Sequence, residues 1–297
     1  MNDGDVSQKC LVQVAATSTA LFVVGAAAAR RVAGDAALLG VLVNGLLATV
    51  VMGAAVVFAR LVEIPLGDVP LLLVGLVVDR FSQSRMTLLL FWAANVVASL
   101  LFCASVHSAP AITTVHRKFF HLTASLVFIS GLFVDAQFLW LSGSLSLCIF
   151  IIVEVLRFHN IPPWGEFLNE TLLVFRDHQD SVVLLTPLLL LAGMLLPLML
   201  SRNLAPAHLE HLAGVATVGV GDSAAAIVGY TWGTKNWPKS RKTMEGSAAM
   251  FLSVTIFLLG AKAFVSSAAS TTTCILVAFI ITAMEATLQK FHSYCLG

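Results

Sequence analysis

The chain of 297 residues is 58% hydrophobic and 11% charged, with a mean hydropathy of +0.92, whereas a soluble domain is about half apolar and about 25% charged. The solvent for most of this chain is therefore lipid. A net charge of +1 and a pI near 7.7 exclude the strongly basic balance of a nucleic-acid binder, so any electrostatic function must come from local clusters.

The first nine residues set Asp3 and Asp5 against Lys9, the wrong pattern for the basic start of a cleaved signal peptide, so the first apolar run is expected to remain as a span. A bilayer crossing takes about 20 mainly apolar residues. Runs of that quality cover 11–29, 36–58, 86–106, 119–134, 136–156, 182–200, 207–232, 247–265 and 267–284. The stretch 66–78 is too short and is broken by Pro65 and Pro70, which makes it a tilted or re-entrant tenth segment. The expected fold is an all-α polytopic membrane protein with about nine to ten transmembrane helices and short loops. Cys10, Cys103, Cys148, Cys274 and Cys295 are scattered and form no C-x-x-C pair, so neither a disulfide framework nor a zinc site is indicated. No repeat, linker or polar segment of domain length interrupts the chain, which reads as one membrane domain.

From residue 110 onward the loops alternate in charge. The segment 107–118 holds Arg117 and Lys118, 157–181 holds Arg157 and Arg176, and 233–246 holds Lys235, Lys239, Arg241 and Lys242, while the loops between are poor in Lys and Arg. The positive-inside bias places these three loops in the cytoplasm. Every large polar segment then faces one compartment, as suits an enzyme taking a charged substrate from the cytosol and a lipid from the bilayer. A transporter with long cytosolic loops reads the same at this level.

Gly219-Val-Gly-Asp222-Ser-Ala-Ala-Ala-Ile-Val-Gly229 sets a carboxylate in a helix of small residues. An ionisable group in an apolar run is costly and is a functional candidate; the bland alternative is a helix cap or an interface residue. At helical spacing Gly219, Asp222, Ala226 and Gly229 share a face, which a ligand or another helix can approach closely. Next comes Gly233-Thr-Lys235-Asn-Trp237-Pro238-Lys239-Ser-Arg241-Lys242-Thr243-Met-Glu245-Gly246, with four cations and one anion. Clustered cations at a helix start suit phosphate oxygens, although an orientation-setting loop is cationic too. Thr243, Glu245 and Gly246 offer a hydroxyl, a metal ligand and a backbone N–H. Neither G-x-x-x-x-G-K-[ST] nor the protein-kinase signature set occurs, so a nucleoside triphosphate would be bound by a non-P-loop route.

The segment 219–246 resembles the nucleotide-binding signature of dolichol kinases, G-x-G-D-[ST]-x-A-x-x-x-G, then W-P, then [KR]-K-T-x-E-G. Upstream, His116-Arg117-Lys118-Phe119-Phe120-His121 is similar to that family's R-K-x-F-H. Glu154 with Arg157 is similar to its E-x-x-R helix end, and Arg176-Asp177-His178-Gln179-Asp180-Ser181 to its D-x-x-D-S turn. The resemblance covers about 114–289. It implies transfer of the γ-phosphoryl group of CTP to the terminal hydroxyl of dolichol, giving dolichyl phosphate for protein glycosylation. The setting it implies is the cytosolic face of the endoplasmic reticulum membrane, with Mg²⁺ or another divalent cation. It further implies a catalytic region at 111–297 and leaves 1–110 as N-terminal transmembrane helices of unknown role. Asp222, Lys242 and Glu245 become the catalytic candidates, with Asp222 and Glu245 as metal ligands. Lys239, Arg241, Lys242, Thr243 and Gly246 become the CTP contacts. Asp177, Asp180, His116, Arg117, Lys118, His121, Glu154, Arg157 and Glu285 are further candidates. The partners implied are CTP, dolichol or a related polyprenol, and the lipid bilayer, with no nucleic acid.

Two relatives separate on residues. Phytol and farnesol kinases share the Gly-Asp helix but read R-K-S-x-x-G where this chain has Arg241-Lys242-Thr243-Met244-Glu245-Gly246. CDP-lipid synthases share K-T-x-E-G but carry an H-G-G-x-x-D-R-x-D segment that does not occur here. The alternative of another class is a transporter using Asp222 as an intramembrane ion site. Asp222 and Glu154 stand nearly alone within the expected spans, which favours the enzyme. One departure remains. After Glu285-Ala286-Thr287-Leu288-Gln289 the family pattern continues toward Asp-Asn and another apolar helix, where this chain reads Lys290 and then ends at Gly297. The expectation is impaired catalysis if that missing pair is catalytic.

Overall fold

A computed structural model of the chain describes residues 3–78, 83–107, 114–172, 183–201, 203–238, 240 and 242–294. The helices are α1 (Asp3–Val32), α2 (Ala36–Leu61), α3 (Val69–Val78), α4 (Gln83–His107), α5 (Thr114–Phe158), α6 (Trp164–Leu172), α7 (Leu185–Leu200), α8 (Asp222–Trp232), α9 (Met244–Ala261) and α10 (Thr271–Tyr294). Among the described residues the extended pairing amounts to two isolated bridges, His208 with Ser266 and Asn236 with Thr243.

Among the described residues six segments are long and apolar enough to cross a membrane: Val6–Val32, Ala36–Leu61, Gln83–Ser105, Lys118–Phe158, Leu209–Trp232 and Met244–Ala261. Shorter apolar helices occupy Leu66–Val77, Leu185–Leu200 and Thr271–Thr287. Outward-facing side chains such as Val41, Leu71 and Ile256 are 70% exposed or more, as lipid-facing residues are. The protein is thus an all-α polytopic membrane protein. As one unbroken helix the 41 residues of Lys118–Phe158 would rise about 60 Å, twice the roughly 30 Å of a bilayer core. The helix breaks at Asp135 (φ −156°, ψ 84°), where the sequence places a turn between two spans. Cys10, Cys103, Cys148 and Cys274 are free thiols.

The chain divides into two compact units, Met1–Thr87 with Phe138–Leu189, and Leu88–Gln137 with Leu190–Gly297. In the first, Asp35 caps α2 by accepting from Leu38 N at 2.7 Å. Phe22 and Ala26 of α1 then pack on Leu39 and Val43 of α2, with Leu156 and Ile161 completing the cluster. Arg85 is buried with its guanidinium carbon 4.7 Å from the centre of the Phe138 ring, a cation–π contact that lets a charge sit among apolar side chains.

The second unit packs Ala216 of the Leu209–Trp232 span against Met250, Val254 and Leu258 of α9 and Cys274 and Ala278 of α10. Just before α8 the helix widens into a π-helical stretch, Val215–Gly221, in which Asp222 N donates to Thr217 O. Glycines make the close approaches possible. A Cβ at Gly214 would stand 2.6 Å from Met194 Cα and 2.9 Å from Met194 O. Both are backbone atoms that cannot rotate away, so Gly214→Ala is expected to cost about 1–3 kcal/mol as overpacking. The measurement is the thermal unfolding midpoint in detergent, and an unchanged midpoint would mean that α7 can retreat. Gly221 faces Met250 and Val254 while Gly229 faces Thr243, so α8 and α9 run antiparallel.

Candidate active site

The widened turn ends at Asp222, the first residue of α8. Opposite it, at the start of α5, Lys118 and His121 lie three residues apart and therefore on one helical face. Lys118 Nζ donates to Asp222 Oδ2 at 2.5 Å, and His121 Nε2 stands 3.2 Å from the same oxygen. The Lys118 and His121 side chains are 12% and 7% exposed, whereas that of Asp222 is 42% exposed. Two nearly buried groups thus hold one oxygen of a carboxylate that still opens outward. Oδ1 carries no hydrogen bond among the described residues. Burying an ammonium is costly unless a carboxylate pairs with it, which ties Lys118 to Asp222.

One turn on, Ser125 Oγ donates to His121 O at 2.6 Å. A Cβ at Gly219 would collide with that hydroxyl, so Gly219 admits a neighbouring helix. With Lys118 and His121 at Asp222 and Ser125 at Gly219, the first half of α5 runs antiparallel to the 215–232 segment.

Beside the ion pair lies a cavity of about 530 Å³, lined by apolar side chains including Phe102, Phe119, Leu126, Ile129 and Ile227. Phe102 stacks on Phe119 with ring centres 4.1 Å apart. Lys118, Ser125 and Ser223 are the polar residues of this wall. Ser223 Oγ is buried and has no hydrogen-bond partner among the described residues.

The loop after α8 uses its polar groups on itself. Met244 N donates to Lys235 O at 2.8 Å, and Trp237 N to Lys242 O at 2.9 Å. Thr243 is the N-cap of α9, its Oγ1 accepting from Gly246 N at 3.1 Å. The sequence reading offered that hydroxyl and that N–H to phosphate; here each satisfies the other. Glu245 accepts from Thr234 Oγ1 at 2.6 Å and from Lys235 N at 3.2 Å, which pins the loop to α9. Lys242 Nζ is held by the Glu285 carboxylate and donates to Glu285 O at 2.8 Å.

Asp222 and Glu245, the two metal-ligand candidates, do not converge on one ion in this arrangement. Asp222 begins α8, while Glu245 bonds to residues just beyond its end at Trp232. At 1.5 Å per residue the two carboxylates are separated by roughly 15 Å along the helix, far more than one Mg²⁺ with oxygens at about 2.1 Å can bridge. Among the described residues no three His, Cys, Asp or Glu side chains cluster as a metal site. One open carboxylate oxygen at Asp222 nonetheless fits a cation held chiefly by substrate phosphates and water.

The other sequence candidates fall into three groups. Glu154 and Arg157 belong to the first unit. There Arg157 Nε and Nη2 donate to Glu154 at 2.7 and 2.6 Å, and Leu184 N donates to Glu154 Oε1 at 2.8 Å. This is a structural brace. His116 and Arg117 belong to α5 by backbone, with side chains outside the described set. Lys239, Arg241, Asp177 and Asp180 lie outside the described residues.

A family model described as dolichol kinase matches residues 12–189, a stretch that includes Lys118 and His121 and stops before Asp222. The chain is 36% identical over 171 residues to a dolichol kinase of Homo sapiens, covering 52% of this chain and 30% of that protein. It is 32% identical over 168 residues to one of Arabidopsis thaliana, covering 56% and 30%. To one of Saccharomyces cerevisiae it is 29% identical over 196 residues, covering 65% and 35%. The chain therefore spans about a third of the length of these curated relatives. No solved structure matches. With the family model matching more than half of its length, the chain belongs to the dolichol kinase family.

Proposed function

We propose that this chain transfers the γ-phosphoryl group of CTP to the terminal hydroxyl of dolichol or a related polyprenol, at the cytosolic face of the endoplasmic reticulum membrane. The observation that carries the reading is Asp222, clamped by Lys118 and His121 at the edge of an apolar cavity between membrane-spanning segments. A charged reaction centre and a greasy wall meet there, as a lipid alcohol and a nucleotide require. The alcohol oxygen forms a bond to the γ-phosphorus, and the bond from that phosphorus to the β,γ-bridging oxygen breaks. CDP leaves with the electron pair, and the alcohol proton passes to water. Such a transfer needs little covalent help and depends on positioning and charge neutralisation. A divalent cation, when bound, would neutralise the phosphates, with Asp222 Oδ1 as its ligand from this chain. Lys118 and His121 fix the direction of the carboxylate, and Lys239, Arg241 and Lys242 are the proposed phosphate contacts.

The test is phosphorylation by the protein in mixed micelles, using γ-labelled CTP or ATP with dolichol, phytol and farnesol as acceptors. Labelled dolichol with CTP and not ATP is the expected result; label on phytol or farnesol alone would reassign the acceptor. The orientation has its own check. Asn169-Glu170-Thr171 is a glycosylation sequon, and Asn169 accepts from Arg157 Nη1 at 3.0 Å through its side-chain oxygen. Under the proposed topology it stays unmodified in microsomes. An endoglycosidase-sensitive glycan at Asn169 would reverse the orientation and remove cytosolic CTP from the site.

A further inference from the structure

Ser223 poses a specific question. The residue lines an apolar cavity, and its hydroxyl oxygen is buried with no hydrogen-bond partner among the described residues, a state that costs free energy unless a ligand supplies the missing partner. It is the neighbour of Asp222, and the same cavity is lined by Lys118, whose ammonium reaches Asp222. One ammonium therefore belongs both to the carboxylate site and to the apolar pocket. From Lys118 the pocket follows α5 as far as Ile129, roughly 16 Å along the helix axis. Its volume of 530 Å³ falls within the roughly 300–1,000 Å³ typical of small-ligand sites. Its walls are membrane-spanning segments, so an occupant can arrive from the bilayer.

A ligand complementary to this space has a hydroxyl at one end, next to a cation, and a hydrocarbon body. We infer that this cavity is the acceptor subsite, in which Ser223 Oγ hydrogen-bonds the oxygen of an isoprenoid alcohol and holds it beside Asp222. The last isoprene units lie against Phe119, Leu126 and Ile129. This inference rests on the proposed phosphoryl-transfer reading for its chemistry, but the binding it describes can be measured without turnover. Ser223 is a positioning residue: it orients the acceptor oxygen and takes no part in neutralising the phosphates.

The experiment uses the full chain in lipid nanodiscs with a diazirine-bearing isoprenoid alcohol, the labelled residues being mapped by mass spectrometry. Label is expected on α5 between 118 and 129 and on 219–227, displaced by unlabelled polyprenol and not by the corresponding hydrocarbon. Ser223→Ala should weaken that displacement about threefold to tenfold, the range for one hydrogen bond. Leu126→Trp, which fills the cavity, should abolish the labelling. In the turnover assay Ser223→Ala should raise the KM for the alcohol by the same factor and leave the KM for CTP unchanged. Labelling spread over the lipid-facing surface, or displaced equally by the hydrocarbon, overturns the subsite, as does an unchanged alcohol KM in an active Ser223→Ala protein. If the wild-type chain binds the alcohol at these residues but transfers no phosphate, the subsite stands and the phosphoryl-transfer reading fails.

Discussion

Asp222→Asn is expected to lower turnover at least about a hundredfold, the loss typical when a fixed electrostatic group is removed from a transition state. The substitution keeps side-chain size and helix but removes the charge that Lys118 and His121 clamp. It also leaves the Lys118 ammonium, 12% exposed, without its partner. Breaking a fully buried pair costs about 3–5 kcal/mol; with Asp222 42% exposed, water offsets much of that. Stability and chemistry can be separated by a second variant. Adding Lys118→Met removes the stranded charge, so the double variant should regain the thermal midpoint of the parent while turnover stays at the level of Asp222→Asn. Normal turnover by a stably inserted Asp222→Asn protein would sink the carboxylate's proposed role, and recovery of activity in the double variant would mean that the single one had merely misfolded.

Much of this site was legible in the sequence because lipid makes charges conspicuous. An aspartate among Gly and Ala in an apolar run marks itself, and the turn expected near Asp135 is where α5 breaks. The partners of Asp222 were harder to read. Lys118 and His121 come 104 and 101 positions earlier, and at a helix start they look like interface anchors. Their spacing of three was the available signal, since it puts both on one face, but only packing shows which helix that face meets. Ser223 gave less still: a serine beside an aspartate stands out only once its hydroxyl proves buried and without a partner among the described residues. The basic loop was ambiguous for another reason. Thr243, Glu245 and Gly246 read as ligands for phosphate or metal, and in the structure Thr243 caps α9 while Glu245 accepts from Thr234. A capping threonine and a phosphate-binding threonine are the same residue type in the same place at a helix start, so sequence pattern cannot tell them apart.

Arg241→Gln and Lys242→Gln should each weaken CTP binding roughly tenfold to a hundredfold, because a charge-assisted contact to phosphate contributes about 1.5–3 kcal/mol. Lys235→Gln should cost much less, since Lys235 meets the start of α9 through its backbone N–H and carbonyl, which the substitution keeps. Lys242 brings a complication, because its ammonium is held by Glu285 from α10. A phosphate contact must draw it from that carboxylate. Glu285→Gln removes the competitor and should therefore tighten CTP binding, while Lys242→Gln loosens it. If Lys242 only ties the loop to α10, both substitutions lower the thermal midpoint alike and neither changes CTP affinity. The pair is about a quarter exposed on each side, so the tie alone contributes modestly and its loss should not unfold the protein. Opposite shifts in CTP affinity for Lys242→Gln and Glu285→Gln, with little change at Lys235, define a localised phosphate site. Equal losses at Lys235, Arg241 and Lys242 would instead reduce the loop to a diffuse cationic patch that sets orientation in the membrane.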